Sequence, residues 1–309
     1  MDAKKVKLIF NPGSGVNNES PLQLMEVLQV LQQFQMTAEP FIIQKGCDIA
    51  GEIRKTLKDG IDTVLVCGGD GTVSSAAKAM IDTELTMGII PTGTRNNIAR
   101  SLNIPLDIQN ALNVIQTGKT KKIDMGICIC NQISTPFIEL CSVGLFSTLF
   151  EAGDAIQHGN ITKIGDFITA LASTAPSEIH LLLDRDREII EVGHNILFTN
   201  MPYVGLNFKV GKTGCFADGK LDVLYCSDLT KMDLIGFAVK GGSIDDARIK
   251  RFHIKTAEIH TNPPMPIMAD GETIGEGSAS ITIKPQALRL IYRPNPVRKT
   301  LKAGDMLEK

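Results

Sequence analysis

The chain has 309 residues, 43% hydrophobic and 21% charged, with a formal net charge of -2 and seven cysteines. That is enough for two domains or one large one with a proper core, and there is no basic excess of the kind nucleic-acid binding requires. No apolar run approaches the ~20 residues that span a bilayer, the Met1–Lys5 start does not read as a secretory signal, and an odd cysteine count without metal-ligand spacing fits reduced thiols in a cytoplasmic protein.

In chain order, Val6–Phe10 is a β-like run, and Leu22–Phe34 places Leu24, Leu28, Leu31 and Phe34 at helical spacing. Phe41–Ile43 is a second strand and Ile49–Leu57 a second helix. Thr63–Cys67 is a third strand, followed by a helix from Val73 to Ile81. Met87–Ile90 is a fourth strand ending at Pro91, with helices at Asn96–Leu102 and Ile108–Gln116. This alternation predicts an α/β unit with a parallel sheet covered on both faces. Ligands of such sheets sit at the carboxyl ends of the strands, where the loops Asn11–Gly15, Gly68–Thr72 and Pro91–Asn97 are all polar. After Lys122 short β-like segments take over: Ile123–Cys130, Phe137–Val143, Ile179–Leu183, Ile189–Phe198, Leu221–Cys226, Phe252–Thr261, Ile281–Ile283 and Leu288–Tyr292. Helices are expected near Lys163–Ser173 and Lys231–Lys240. The pattern predicts a mostly antiparallel β-sandwich. The domain reading is therefore residues 1–124 for the α/β unit, with 293–309 returning to it, and 125–292 for the sandwich.

Gly68-Gly69-Asp70-Gly71-Thr72 is either a tight strand-to-helix turn or a phosphate cradle, since glycines admit a close ligand and helix-start amides favour an anion. Asp70 cannot itself bind phosphate and needs a metal or a proton-transfer role beside one. Three polar loops on one edge favour a nucleotide-sized cleft. Gly205–Thr213 resembles a P-loop, but five residues separate its glycines instead of four. No G-x-G-x-x-G fingerprint is present. Asp270-Gly271-Glu272 is a hairpin turn whose Glu272 could still reach a cleft. Asp218-Gly219-Lys220 is a turn or a set of oxygen ligands for a hard cation. Asp124 is a hinge-region charge or a cleft residue. The five histidines show no metal-binding spacing, and the apolar runs 143–150 and 263–268 fit core strands as well as a lipid-facing surface.

Together, Phe10-Asn11-Pro12-Gly13-Ser14-Gly15, Gly68–Thr72, Ile90–Asn97 and Ala269-Asp270-Gly271-Glu272 resemble the diacylglycerol kinase catalytic family, in particular the bacterial soluble lipid kinases. NAD kinases share the Gly-Gly-Asp-Gly loop, so the first and third loops carry the narrower likeness. The resemblance implies ATP and Mg²⁺ between the α/β domain and the β-sandwich. It assigns nucleotide contacts to Asn11, Pro12, Ser14, Gly15, Gly68, Gly69, Gly71, Thr72, Thr94 and Asn96. It makes Asp70 part of a magnesium network, with Glu272 as general base and Asp70 as the reserve base. It places a structural magnesium at Asp218 with carbonyls of Cys215 and Lys220, linked to the cleft by Asp124. The third loop departs from the family's usual Asn-Asp, reading Asn96-Asn97. Gln44–Asp48 also lacks the threonine commonly found there beside the nucleotide. The implied activity is phosphorylation of a lipid hydroxyl, diacylglycerol first, by a cytoplasmic protein that docks transiently on membranes; no nucleic acid is involved and a homodimer is left open. Rival readings are a kinase of a soluble substrate such as NAD and a nucleotide-binding regulatory protein.

Overall fold

A computed structural model of the chain describes residues 3–15, 20–146, 176–204, 208–209, 216–226, 229–230, 233, 242–243 and 246–294. The first elements alternate as the sequence predicts: β1 (Lys4–Phe10), α1 (Ser20–Gln33), β2 (Met36–Ile42), α2 (Ile49–Lys58), β3 (Thr63–Gly68), α3 (Asp70–Met80), β4 (Thr86–Pro91), α4 (Asn97–Ser101) and α5 (Ile108–Thr117). The strands lie side by side as β2-β1-β3-β4, all parallel. β3 is buried along its whole length, as a strand covered on both faces must be. Its neighbours Leu8 and Met87 join Ala76, Met80 and Leu112 from the covering helices in one core. Asp48 caps α2 by accepting from the Gly51 amide at 2.8 Å, which satisfies one of the orphan donors of a helix start. α3 begins at Asp70 rather than at the predicted Val73. The glycine loop is thus the helix's first turn, with extended Gly69 at its N-cap.

The remaining strands are β5 (Lys119–Cys130), β6 (Ile133–Phe137), β7 (Leu140–Gly144), β8 (Ser177–Leu183), β9 (Arg187–Gly193), β10 (Asn195–Thr199), β11 (Tyr203–Val204), β12 (Phe208–Lys209), β13 (Leu221–Tyr225), β14 (Gly242–Ser243), β15 (Lys250–Ile254), β16 (Thr256–Asn262), β17 (Pro266–Ala269), β18 (Glu272–Glu276) and β19 (Ser278–Tyr292). The parallel strands continue through β19 into antiparallel β16, β8 and β9, with β5 and β6 alongside, to make a ten-stranded sheet. A six-stranded sheet, β15-β13-β10-β7-β17-β18, is antiparallel throughout. Its Val143, Phe198, Val223 and Ile267 pack with Cys128, Leu181, Ile259 and Ile281 of the larger sheet in a second core. These two facing sheets form the expected sandwich. The β11-β12-β14 ribbon is a small third sheet.

Three segments expected to be single strands are each divided between the two large sheets. Phe137–Val143 breaks at Ile138-Glu139, Ile189–Phe198 at His194, and Phe252–Thr261 at Lys255. An apolar run that turns the corner of a sandwich keeps burying residues on both sides of the bend, so periodicity does not reveal the break. Conversely, Ile281–Ile283 and Leu288–Tyr292 are one 15-residue strand whose pairing with β5 shifts register between Lys284 and Leu288. The helix expected at 163–173 lies outside the described residues, as do the tail from residue 295 and all of 231–240 except Asp233. Of the P-loop-like run only Phe208 and Lys209 are described, as β12.

Candidate active site

The three polar loops meet at the carboxyl ends of β1, β3 and β4 around a cavity of about 520 Å³. Side chains fasten them to one another. Asn11 Nδ2 donates to Thr72 Oγ1 at 2.8 Å, and the hydroxyls of Ser14 and Thr92 share a 2.6 Å hydrogen bond. Glycine is demanded where the second and third loops touch: a Cβ on Gly93 would lie 2.4 Å from the Gly69 Cα. No side chain fits there without separating the loops.

Four ionisable side chains face this cavity: Asp70, Arg95, Glu139 and Asp270. Asp70 fastens the third loop. Its two oxygens accept from the amides of Asn97 and Ile98, each at 3.0 Å, and burial raises its pKa against the lowering effect of those amides. Asn97 continues the chain of contacts, since its Nδ2 donates to Glu139 Oε1 at 3.0 Å. Glu139 sits at the corner between β6 and β7 and is 7% exposed. Burial raises its pKa well above the usual carboxylate range, and the nearby charges of Asp70 and Asp270 push the same way. Asp270 is in the predicted hairpin turn, where it and Gly271 both have positive φ, 47° and 86°. Its carboxylate accepts from Ser74 Oγ at 2.6 Å and from the amides of Ile138, Glu139 and Leu140 at 2.8, 2.9 and 3.0 Å. The turn tip thereby clasps both α3 and the corner that carries Glu139.

Of the residues implied from sequence, Asn11, Ser14, Gly15, Gly69, Asp70, Gly71, Thr72 and Thr94 line the cavity. Asn96 turns back into its own loop, accepting from Gly93 N at 3.0 Å and donating to Gly93 O at 2.7 Å. Pro12 and Gly68 belong to the same loops without lining the cavity. Glu272 follows the lining residue Gly271 but does not itself line the cavity; it is 66% exposed and paired with Lys78 of α3 at 3.0 Å. Asp124 is buried and accepts from Gly219 N at 2.7 Å and Gln286 N at 2.8 Å. It therefore holds the Asp218–Lys220 turn, while Asp218 itself pairs with His253 at 3.2 Å. Cys215 lies outside the described residues. The structure adds Glu139, Asp270 and Arg95 to the lining, none of which the loop motifs assign a role. The signal for Glu139 is that it is the one acidic or basic side chain in the apolar run Phe137–Val143.

The residues present fit a nucleotide phosphate with a divalent cation. The glycine contacts let backbone approach a ligand closely, and Asp70 and Glu139 offer hard oxygen donors. Among the described residues no three His, Cys, Asp or Glu side chains are grouped to hold a metal.

Residues 5–128 match the family model of the diacylglycerol kinase catalytic domain, and residues 156–292 match that of the YegS C-terminal NAD kinase beta sandwich-like domain. Residues 5–128 thus form a diacylglycerol kinase catalytic domain. A diacylglycerol kinase of Staphylococcus carnosus is 25% identical over 96% of this chain and 97% of its own. Among solved structures, a diacylglycerol kinase from Bacillus anthracis superimposes with a TM-score of 0.73 at 19% identity, covering 94% of this chain and 97% of that one. Yeast NADH kinase complexed with NADH superimposes at 0.55 and 11% identity, over 94% and 84% of the two chains. These two likenesses establish the family fold: an α/β domain with a parallel sheet joined to an antiparallel sandwich.

Proposed function

We propose that the protein is an ATP- and Mg²⁺-dependent lipid kinase that phosphorylates a free hydroxyl, with diacylglycerol as the first acceptor to test. The observation that carries this reading is the 520 Å³ cleft in which the three strand-end loops face the Asp270 turn of the sandwich. Phosphoryl transfer asks a protein for alignment and charge neutralisation more than for covalent chemistry. The amides at the start of α3 point toward an anion in the cleft, and Ser14, Thr72 and Thr94 add hydroxyls along it. Asp70, Glu139 and Asp270 are the carboxyls that line the cleft. Magnesium, when bound there, would neutralise phosphate charge.

The acceptor oxygen attacks the γ-phosphorus, the bond to the β-phosphate oxygen breaks, and the acceptor's proton passes to a carboxylate. Glu272 is the proposed base because it directly follows the cavity-lining Gly271 and is exposed to an acceptor arriving from solvent or a membrane surface; Asp70 is the reserve. Lys78 holds Glu272 toward α3, so the acceptor or a water must displace that ammonium for Glu272 to act. A localisation in the cytoplasm with transient docking on membranes fits this acceptor. No helix among the described residues is long and apolar enough to cross a membrane.

The test is transfer from labelled ATP to a panel of diacylglycerol, monoacylglycerol and sphingoid bases in mixed micelles, with NAD as the soluble control. Labelled phosphatidate supports the reading. Labelled NADP without labelled lipid replaces it with a soluble-substrate kinase. ATP binding without transfer to any acceptor favours a regulatory protein. Glu272→Gln is expected to keep ATP binding and lose turnover; normal turnover by that variant moves the base to Asp70.

A further inference from the structure

Asn97 joins two carboxyls across the cleft: its backbone amide binds Asp70, and its side-chain amide binds Glu139. Glu139 is more than nine-tenths buried and lines the cavity. Its Oε1 takes the Asn97 hydrogen bond, and its Oε2 has no hydrogen-bond donor among the described residues. The backbone around it is clamped on both sides. The Glu139 amide donates to Asp270, and its carbonyl accepts from Asn200 N at 3.0 Å. Asn200 Nδ2 in turn binds the carbonyls of Asp124 and Ile138. The side chain is therefore held at a fixed corner, aimed at the space beside Asp70.

A purely structural role does not account for a carboxyl at this position. Glutamine would accept the same hydrogen bond from Asn97 without the desolvation cost of a buried acid. Placing the acid beside Asp70 and Asp270, both of which raise its pKa, adds like-charge repulsion. That arrangement becomes favourable when a cation arrives to be shared. We propose that Glu139 is the second carboxylate of the cation site, acting with Asp70 from the opposite wall of the cleft, and that Asn97 is the amide that fixes its orientation. This rests on the reading of the cleft as a Mg²⁺–nucleotide site.

The test is titration of Mg²⁺ into the full chain with a fluorescent N-methylanthraniloyl-ATP, read as the Mg²⁺ midpoint for nucleotide binding, with melting temperatures as the folding control. Glu139→Gln is expected to raise the midpoint about tenfold or more, the size seen when a metal's carboxylate support is removed. The double variant Asn97→Asp with Glu139→Gln keeps the net charge and exchanges donor for acceptor across the same hydrogen bond. It is expected to return the midpoint most of the way to the wild-type value. A structural role would not produce that rescue. An unchanged midpoint in Glu139→Gln, or a double variant no better than Glu139→Gln alone, overturns the assignment. If the wild-type protein binds the nucleotide with this Mg²⁺ pattern but phosphorylates no lipid, the kinase reading fails and the assignment of Glu139 stands. If it binds no nucleotide at any Mg²⁺ concentration, both fail.

Discussion

Replacing Asp270 with asparagine isolates the clasp between the sandwich tip and the α/β layer. Asparagine has nearly the same size and tolerates the positive φ of 47° at this position. It keeps one acceptor oxygen and puts an NH2 group in place of the other. In the native turn Oδ1 accepts from Glu139 N and Leu140 N, and Oδ2 accepts from Ser74 Oγ and Ile138 N. The variant therefore retains the Oδ1 pair, and its NH2 group faces Ser74 Oγ, whose hydroxyl can turn to accept, and opposes the Ile138 N–H. Leaving that buried amide unsatisfied is expected to cost about 1–3 kcal/mol. For a chain of 309 residues that is a fall of roughly 2–5 °C in melting temperature, measurable by calorimetry or circular dichroism. Ser74→Ala, which removes one of these donors, should cost less, about 0.5–1.5 kcal/mol. A melting temperature within about a degree of wild type for Asp270→Asn would mean that the turn is held by the hairpin alone, and the argument that it positions the Glu139 corner would fall with it.

Gly93→Ala should abolish nucleotide binding while leaving the core intact, because its Cβ would overlap the Gly69 Cα at 2.4 Å and push the second and third loops apart; nucleotide affinity equal to wild type would show that the loops need not touch. In EDTA, the raised pKa of Glu139 implies that its contribution to stability is fully present below its ordinary value of 4.5 and is lost as pH rises through the folded-state value. The same sign holds for Asp70, from 3.8 upward. A melting curve followed upward from about pH 5 should therefore decline less steeply in Glu139→Gln than in wild type. Parallel profiles would place the titration elsewhere.

The parallel half was largely legible because its signals are local. β3 is an unbroken apolar run, the loop residues are punctuation that few other structures use, and the strand-to-helix rhythm implies where their ligand sits. The sandwich was legible as a class but not in its strand boundaries. Glu139 and Lys255 sit in apolar runs that cross from one sheet to the other, where the change of partner leaves no period to read. Site residues followed the same division. Asp70 and the glycines announce themselves in sequence, whereas Glu139 and Asp270 become neighbours of Asp70 only through hydrogen bonds spanning 27 to 196 positions. Asn96 shows the converse, since a polar residue in such a loop can be spent on holding that loop in shape.

β19 and β5 form one antiparallel ribbon from Lys119–Tyr292 at one end to Cys130–Ala279 at the other. The same β19 also pairs with β4 at Arg289 and Leu290. The walls of the cleft are thus joined by a ladder of backbone hydrogen bonds rather than by a slack tether. Such a ribbon resists a clam-like gape and yields most easily where its ladder is interrupted, between Lys284 and Leu288. At that interruption Asp124 grips the Gln286 amide, so a buried carboxylate braces the break in the ladder.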